Sequence, residues 1–385
     1  VVHGLSTGGF IGVDIFFVLS GFLITSLLTE AFDDPQGHGS ALRNFYGRRA
    51  IRLLPALGLL MAVFTVVSVL DGTTLGSLWP SVRSVLFYYN NWHSVWDANH
   101  FVPDLGHLWS LAIEEQFYIV WPVVLLAVLA FSKKLSVRVL LLAIPIVWVG
   151  WYRSRLWSSG IGWANIFVRT DARIDALLIG CVAALLFRWS IGDSRRISLF
   201  ARVGTLALVA IILVAKEDAS WMYRGGFTLT AAAAALVVLG IADGERLMSR
   251  VFGARPLRAI GRVSYGLYLW HQVVFFFVMR NTSSWSSLPR TRRKDSWLAP
   301  RARREAPTAP VEPDATTVVV RRSVLSLGVG VVLTLLIANV WPQTPVPHTD
   351  RMGYALVENF HLSRYWQVAL LWMILFPAVA LFVWT

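Results

Sequence analysis

Residues 8–25 read GGFIGVDIFFVLSGFLIT. The run is apolar enough to cross a membrane, yet it opens on glycines and carries Asp14 and Ser20. An ionisable side chain within a span costs about 2.5–3.5 kcal/mol on insertion scales, so it turns toward protein or a water-filled cavity instead of lipid. Asp14 and Ser20 are therefore expected to point inward. They stand six residues apart and do not share one tight helical face. The glycine-rich start thus reads as irregular or closely packed, with Asp14 near its end. A helix cap or a structural pair with an arginine competes with a chemical role for Asp14. For Ser20, followed by Gly21, close helix contact is the competing reading. No G-x-S-x-G elbow is present, which argues against Ser20 as a hydrolase nucleophile.

The rest of the chain supports a membrane setting. Of 385 residues, 56% are hydrophobic and only 15% charged, and the mean hydropathy is +0.59, well outside the range of soluble domains. A span needs about 20 mainly apolar residues. Such runs fall near 10–30, 53–70, 108–131, 139–151, 173–189, 199–215, 226–242, 259–280, 323–341 and 366–384. They are continuous rather than alternating, which speaks against a transmembrane barrel. The expected fold is an all-α integral membrane bundle of about 9 to 10 transmembrane helices.

A formal net charge of +13 could suggest nucleic acid, but the basic residues lie between apolar runs and form no single stripe. RNFYGRRAIR (43–52), KKLSVR (133–138), RWSIGDSRR (188–196) and ERLMSRVFGARPLR (245–258) fall on alternate loops. The positive-inside rule places them in the cytoplasm and turns 71–106, 152–172 and 216–225 outward, with Arg153, Arg155 and Arg169 as exceptions. The single cysteine, Cys181, lies in an apolar run and reads as a small packing residue. The Arg/Pro/Ala-rich stretch 286–315 has the composition of a disordered linker, and it breaks the charge rule that orders the earlier loops.

Polar stripes cross the apolar runs. In LGHLWSLAIEEQFY, His107, Ser110, Glu114 and Tyr118 follow at offsets of 3, 7 and 11 and share one helical face. Glu114 could balance a cationic partner, hold a substrate hydroxyl or satisfy a buried arginine. Glu115 turns about 100° away, so the two are not read as a glycosidase-type pair. In VSYGLYLWH, Ser264, Tyr268 and His271 share a face, although an aromatic belt at the headgroups explains Tyr268 as well. Arg173 and Asp175 in RTDARID stand at the outer start of a span, for charge pairing or for substrate contact. Arg49 and Arg52, three apart with Arg48 beside them, could clasp phosphates or simply anchor the inner boundary. No P-loop, dinucleotide fingerprint or zinc-spaced Cys/His cluster occurs, so no metal is expected. A lone GDS at 192–194, on a cytoplasmic loop, is rejected as an esterase motif.

GGFIGVDIFFVLSGFLIT, NFYGRRAIRLLPAL, LGHLWSLAIEEQFYIVWP, RTDARIDALLIG and IGRVSYGLYLWH stand in the order and spacing of the membrane acyltransferase-3 family, which the chain resembles over residues 3 to about 281. The resemblance implies an O-acyltransferase that moves an acyl group, commonly acetyl, from cytosolic acyl-CoA to a hydroxyl of a surface glycan, a lipid-linked sugar or a secondary metabolite. It implies a multi-pass protein of the bacterial plasma membrane with no tightly bound cofactor and acyl-CoA as donor substrate. His3 matches the histidine that ends the family's first membrane helix and becomes the candidate base, although most of that helix is expected to be missing upstream. Asp14 and Glu114 join it as catalytic candidates, and Arg48, Arg49 and Arg52 as the donor clamp. His107, Ser110, Tyr118, Arg173, Asp175, Ser264, Tyr268 and His271 become acceptor contacts. Three regions follow: a core at 1–281, a basic segment at 282–322 and C-terminal helices at 323–385. A sugar-lipid transporter or flippase would also use intramembrane Asp, Glu and Arg, but no inverted repeat is visible. A purely structural membrane scaffold would be indifferent to substitution of Arg52 or Glu114.

Overall fold

The computed structural model describes residues 8–33, 38–97, 102–190, 194–245, 250–251, 253–255, 257, 261 and 264–274. His3, most of the 245–258 loop, the basic segment 282–322 and the runs at 323–341 and 366–384 lie outside the described residues. Among those described the chain is helical and no strand occurs: α1 (Gly12–Phe32), α2 (His38–Leu70), α3 (Leu75–Leu86), α4 (Asn90–Trp96), α5 (Trp109–Phe131), α6 (Leu135–Ser158), α7 (Trp163–Phe167), α8 (Ile174–Ser190), α9 (Ser194–Val214) and α10 (Phe227–Ala242). Among the described residues, six stretches are long and apolar enough to cross a membrane: Gly8–Phe32, His38–Leu70, Asp104–Phe131, Leu135–Ser158, Arg195–Val214 and Met222–Ala242. The shorter α8 has 17 residues, at the lower limit for a span. The first seven apolar runs of the sequence therefore each lie on one long helix, as an all-α membrane bundle requires.

The helices outrun the apolar windows because hydropathy marks where lipid-compatible residues lie, not where helical backbone stops. The largest difference is α2, which begins at His38 and not near residue 53. RNFYGRRAIR is thus not a loop. Ala41, Leu42 and Arg43 are good helix formers, and Ala41 and Phe45 are buried while Arg43, Arg48 and Arg52 are exposed.

Alternate helix ends meet as the basic-loop count requires. Asp33, just past α1, pairs with Arg188 near the end of α8. Arg202 of α9 reaches Glu245 just past α10 at 3.2 Å. Between α5 and α6, Arg138 donates to the carbonyls of Leu129 at 3.2 Å and Ser132 at 2.6 Å, placing a cation where the α5 dipole is negative. The starts of α1, α8 and α10 lie at the opposite end, which the charge rule assigns to the outside.

α1 and α8 form the centre. They run in the same direction, and their backbones nearly touch. A Cβ added at Gly21 would stand 2.0 Å from the Leu177 carbonyl oxygen, and one at Gly180 would stand 2.1 Å from that of Val18. This is the small-residue packing that replaces the hydrophobic drive inside lipid. Cys181, fully buried, packs its sulfur 3.6 Å from the Gly21 carbonyl. The glycine-rich start is irregular, as expected: Gly8–Ile11 form a 3-10 turn ahead of α1.

At the outer end, α3, α4, a 3-10 turn over Pro103–Leu108 and α7 build a polar-seamed layer. Asn90 donates to the Leu105 carbonyl at 3.0 Å, and the Val102 amide donates to Ser81 at 3.0 Å. Before α10, a wide turn over Met222–Gly226 depends on Gly225, whose φ of 146° a side chain would disfavour. Residues 265–274 belong to a second compact unit. Within it Tyr268 and His271 do share a face, and His271 Nδ1 lies 2.6 Å from the Tyr268 carbonyl oxygen.

Candidate active site

Two buried ionic clusters lie within the first compact unit, among residues 8–264, six residues apart along α1. The first gathers where α1, α8 and α10 begin. Arg173 pairs with Asp14 at 3.0 Å, and Arg153 of α6 places Nη1 at 2.9 and 3.0 Å from the two oxygens of Asp175. Arg153 also donates to the Ala172 carbonyl at 2.7 Å and to Thr228 at 2.6 Å, while Thr228 donates to Asp175 at 2.7 Å. All four charged residues are buried. The Arg173 guanidinium lies 3.9 Å from the Phe227 ring centroid and 4.7 Å from that of Phe167, close enough for cation–π attraction.

Asp14 is therefore not a cap: α1 has no side-chain cap bond at its start, and the carboxylate serves an arginine 159 positions away. Arg173 and Asp175 pair, but with different partners, not with each other. The sequence treated Arg153 only as an exception to the charge rule. Its depth in α6 was the available signal, since it stands five residues before the helix ends and an arginine there must find a carboxylate.

The second cluster lies about 9 Å farther along α1, six residues at the helical rise. Glu114 accepts hydrogen bonds from Ser20 and from Tyr118, one turn ahead on α5. Arg49 of α2 reaches between both glutamates, 3.0 Å from Glu115 and 3.8 Å from Glu114. Its guanidinium carbon lies 3.0 Å from the centroid of the Tyr118 ring. Just beyond, Trp121 donates to Thr25 at 2.9 Å, and Tyr46 donates to the Ile119 carbonyl at 2.8 Å, fixing α1 and α2 against α5.

Glu115 is not among the candidate site residues, yet it shares Arg49 with Glu114. A rotation of 100° does separate adjacent helix positions, but a fork approaching between them meets both. The signal was the doublet itself: two carboxylates one turn inside a span need a shared cation. Arg49 and Arg52, three residues apart on α2, differ in exposure. Arg49 is turned into the bundle with its side chain 21% exposed, whereas Arg48 and Arg52 remain exposed. Arg49 also stands eleven residues into α2, about 16 Å beyond the α1–α2 turn, and so lies inside the bundle instead of on a loop.

Ser110 is buried in the first turn of α5, while His107 is buried on the preceding 3-10 turn, so the predicted stripe is helical only from Ser110 onward. Outside the spans, Tyr88 lies between α3 and α4; burial first and the Glu115 charge second push its phenol up to about 12. The described residues hold no group of three His, Cys, Asp or Glu able to bind a metal.

An acyltransferase-domain family matches residues 2–300, which reaches past the last recognised block into the Arg/Pro-rich stretch. Peptidoglycan O-acetyltransferase OatA of Listeria monocytogenes is 35% identical over 284 residues, 69% of this chain and 44% of its own length. YrhL of Bacillus subtilis, carrying a provisional peptidoglycan O-acetyltransferase name, is 35% identical over 285 residues, 70% of this chain and 44% of its own. A Staphylococcus aureus (strain COL) protein, SACOL0978, with a provisional O-acetyltransferase name, is 34% identical over 287 residues, 71% of this chain and 47% of its own. The chain spans about half the length of these relatives. No solved structure matches it. With four of its five ordered motifs on the helices that carry the ionic clusters and a family match over most of its length, the chain belongs to the membrane acyltransferase-3 family.

Proposed function

We propose that the protein transfers an acetyl group from cytosolic acetyl-CoA to a hydroxyl of a cell-envelope glycan such as peptidoglycan. One observation carries the reading: in a chain of this family, a buried carboxylate, Glu114, accepts two hydroxyl donors beside a guanidinium. Two carboxylates face one arginine there. His3, the candidate base, is assigned the proton transfer. The imidazole takes the proton of the acceptor hydroxyl as its oxygen attacks the thioester carbonyl carbon. The C–S bond breaks, the ester forms, and the departing thiolate takes the proton back from the imidazolium. Glu114 is assigned a supporting part in this proton transfer.

Arg48 and Arg52 supply exposed cations on α2 for the donor's phosphates, with Arg49 kept in place by the glutamates. Asp14 and Arg173 hold the start of α1, the helix that follows directly from the segment bearing His3. The test incubates membranes containing the protein with labelled acetyl-CoA and peptidoglycan fragments. The expected product is a base-labile ester on the glycan, lost in His3→Ala. Binding of a polyprenyl-linked sugar with no consumption of acetyl-CoA would overturn the reading in favour of a transporter.

A further inference from the structure

Outside both ionic clusters, at the outer end of the molecule, α4 and the 169–171 turn carry an arrangement that neither the fold nor the transfer step explains. Trp92 and Trp96 are stacked, with ring centroids 5.1 Å apart and planes 21° from parallel. Trp96 is 72% exposed. The Arg169 guanidinium lies 5.2 Å from the Trp92 ring centroid. Its Nε and Nη2 donate to the two oxygens of Asp171 at 2.9 and 2.6 Å, and Nη2 also lies 3.3 Å from the Tyr152 hydroxyl.

The residue between the fork's two ends is fixed from behind. Thr170 donates to Gln116 of α5 at 2.6 Å and accepts from Asn91 of α4 at 2.9 Å. Asn91 donates in addition to the Val168 carbonyl at 3.2 Å, and Gln116 donates to Asn91 at 3.0 Å and to the Tyr88 carbonyl at 2.7 Å. A polar lattice therefore clamps the turn to two helices and presents a rigid ledge.

We propose that this ledge, formed by Trp92, Trp96, Arg169, Asp171 and Tyr152, is a subsite for a pyranose ring of the acceptor glycan. The proposal rests on the glycan-acceptor reading above. A pyranose offers a C–H face that packs on an indole and equatorial hydroxyls at its rim that pair with planar, bidentate groups. An indole stack edged by a carboxylate–guanidinium fork supplies both. The fork is charge-neutral as a pair, which suits a neutral polyhydroxyl ligand; a lipid phosphate would call for uncompensated cations. An aromatic belt at the headgroups accounts for exposed tryptophan, but it requires no ion-pair fork laid against the ring. The ledge also adjoins the candidate site in sequence, since Asp171 stands two residues before Arg173.

The test measures binding without acetyl-CoA, by calorimetry on the full chain in phosphatidylcholine nanodiscs titrated with a β-1,4-linked N-acetylglucosamine tetrasaccharide. Wild type binds; Trp96→Ala and Asp171→Asn each weaken binding about tenfold, the worth of one aromatic or charged contact. Trp96→Phe retains most of the affinity. Trp96 is largely exposed, so its removal leaves the thermal midpoint unchanged. Equal affinity in wild type and Trp96→Ala would overturn the subsite and leave the pair as a headgroup anchor, and no binding by wild type would overturn it as well. Binding without acetyl transfer would defeat the transferase reading alone, and transfer without binding of the probe would defeat the subsite alone.

Discussion

The two ionic clusters use the same residue types in opposite ways. Where α1, α8 and α10 begin, two arginines meet two aspartates, and every carboxylate has its own guanidinium. Along α5, two glutamates share one partly exposed arginine and draw in a serine and a tyrosine. Balanced charge in a closed interior holds helices together. Unbalanced charge around a partly exposed arginine is a place where charge can change during a reaction. The contrast predicts that the first cluster governs stability and the second governs turnover.

The largest effect is expected at Arg153. Arg153→Met leaves Asp175 and Thr228 without the cation they face, and breaking a buried pair on one side costs about 3–5 kcal/mol. Thermal melting in detergent micelles should show a large drop, or the protein should fail to accumulate. The double change Arg153→Met with Asp175→Leu should recover much of the loss, because removing both charges also removes their desolvation cost. A double variant no more stable than the single would mean that packing, not charge balance, holds this end.

Glu114→Gln should behave in the reverse manner. The amide keeps the shape and one acceptor for Ser20 or Tyr118, so melting should fall far less than in Arg153→Met. Acetyl transfer should drop about 10²-fold or more, the scale of a lost participant in proton transfer. Unfolding as severe as that of Arg153→Met would erase the distinction between the clusters.

Both clusters depend on the α1–α8 seam. Gly180→Ala would push a methyl against the Val18 carbonyl, where a backbone atom cannot swing aside. Overpacking of this kind costs about 1–3 kcal/mol. Lowered stability and lowered transfer should therefore appear together, whereas Gly39→Ala, with open space around its Cβ position, should change neither.

How far these features could be read beforehand differs from residue to residue for physical reasons. α1 and α5 were legible because twenty or so apolar residues in succession have few other places to go. The inward turn of Asp14 and Glu114 was legible because charge avoids lipid. Their partners were not: Arg173 and Asp14 lie 159 positions apart, and spacing within one helix says nothing about which helix becomes its neighbour. Arg153 stands out in the sequence only as a topology exception, and Glu115 only as the residue beside Glu114. In both cases a guanidinium arriving from another helix decided the matter. The early start of α2 was hidden because hydropathy counts an arginine as a break, although its long stem continues a helix well. The same extension moved Arg49 from an expected loop into the bundle, where it became part of the site.

The smallest expected effect lies outside the spans and separates charge balance from burial alone. Glu217 stands between α9 and the wide turn before α10, and its backbone carbonyl accepts the Tyr223 hydroxyl at 2.7 Å. Burial, with Asp218 adding repulsion, pushes its carboxyl from 4.5 up to about 7. The folded state therefore holds this proton more tightly than the unfolded chain does. Its contribution to stability is fully present below about pH 4.5, declines as pH rises toward 7, and is lost above that. Glu217→Gln removes the titration while keeping the size of the side chain. Its melting temperature should match that of wild type near pH 4.5 and exceed it modestly at pH 8. Identical melting curves at both pH values would mean that Glu217 titrates as an ordinary surface carboxylate, and that burial carries no cost at this turn.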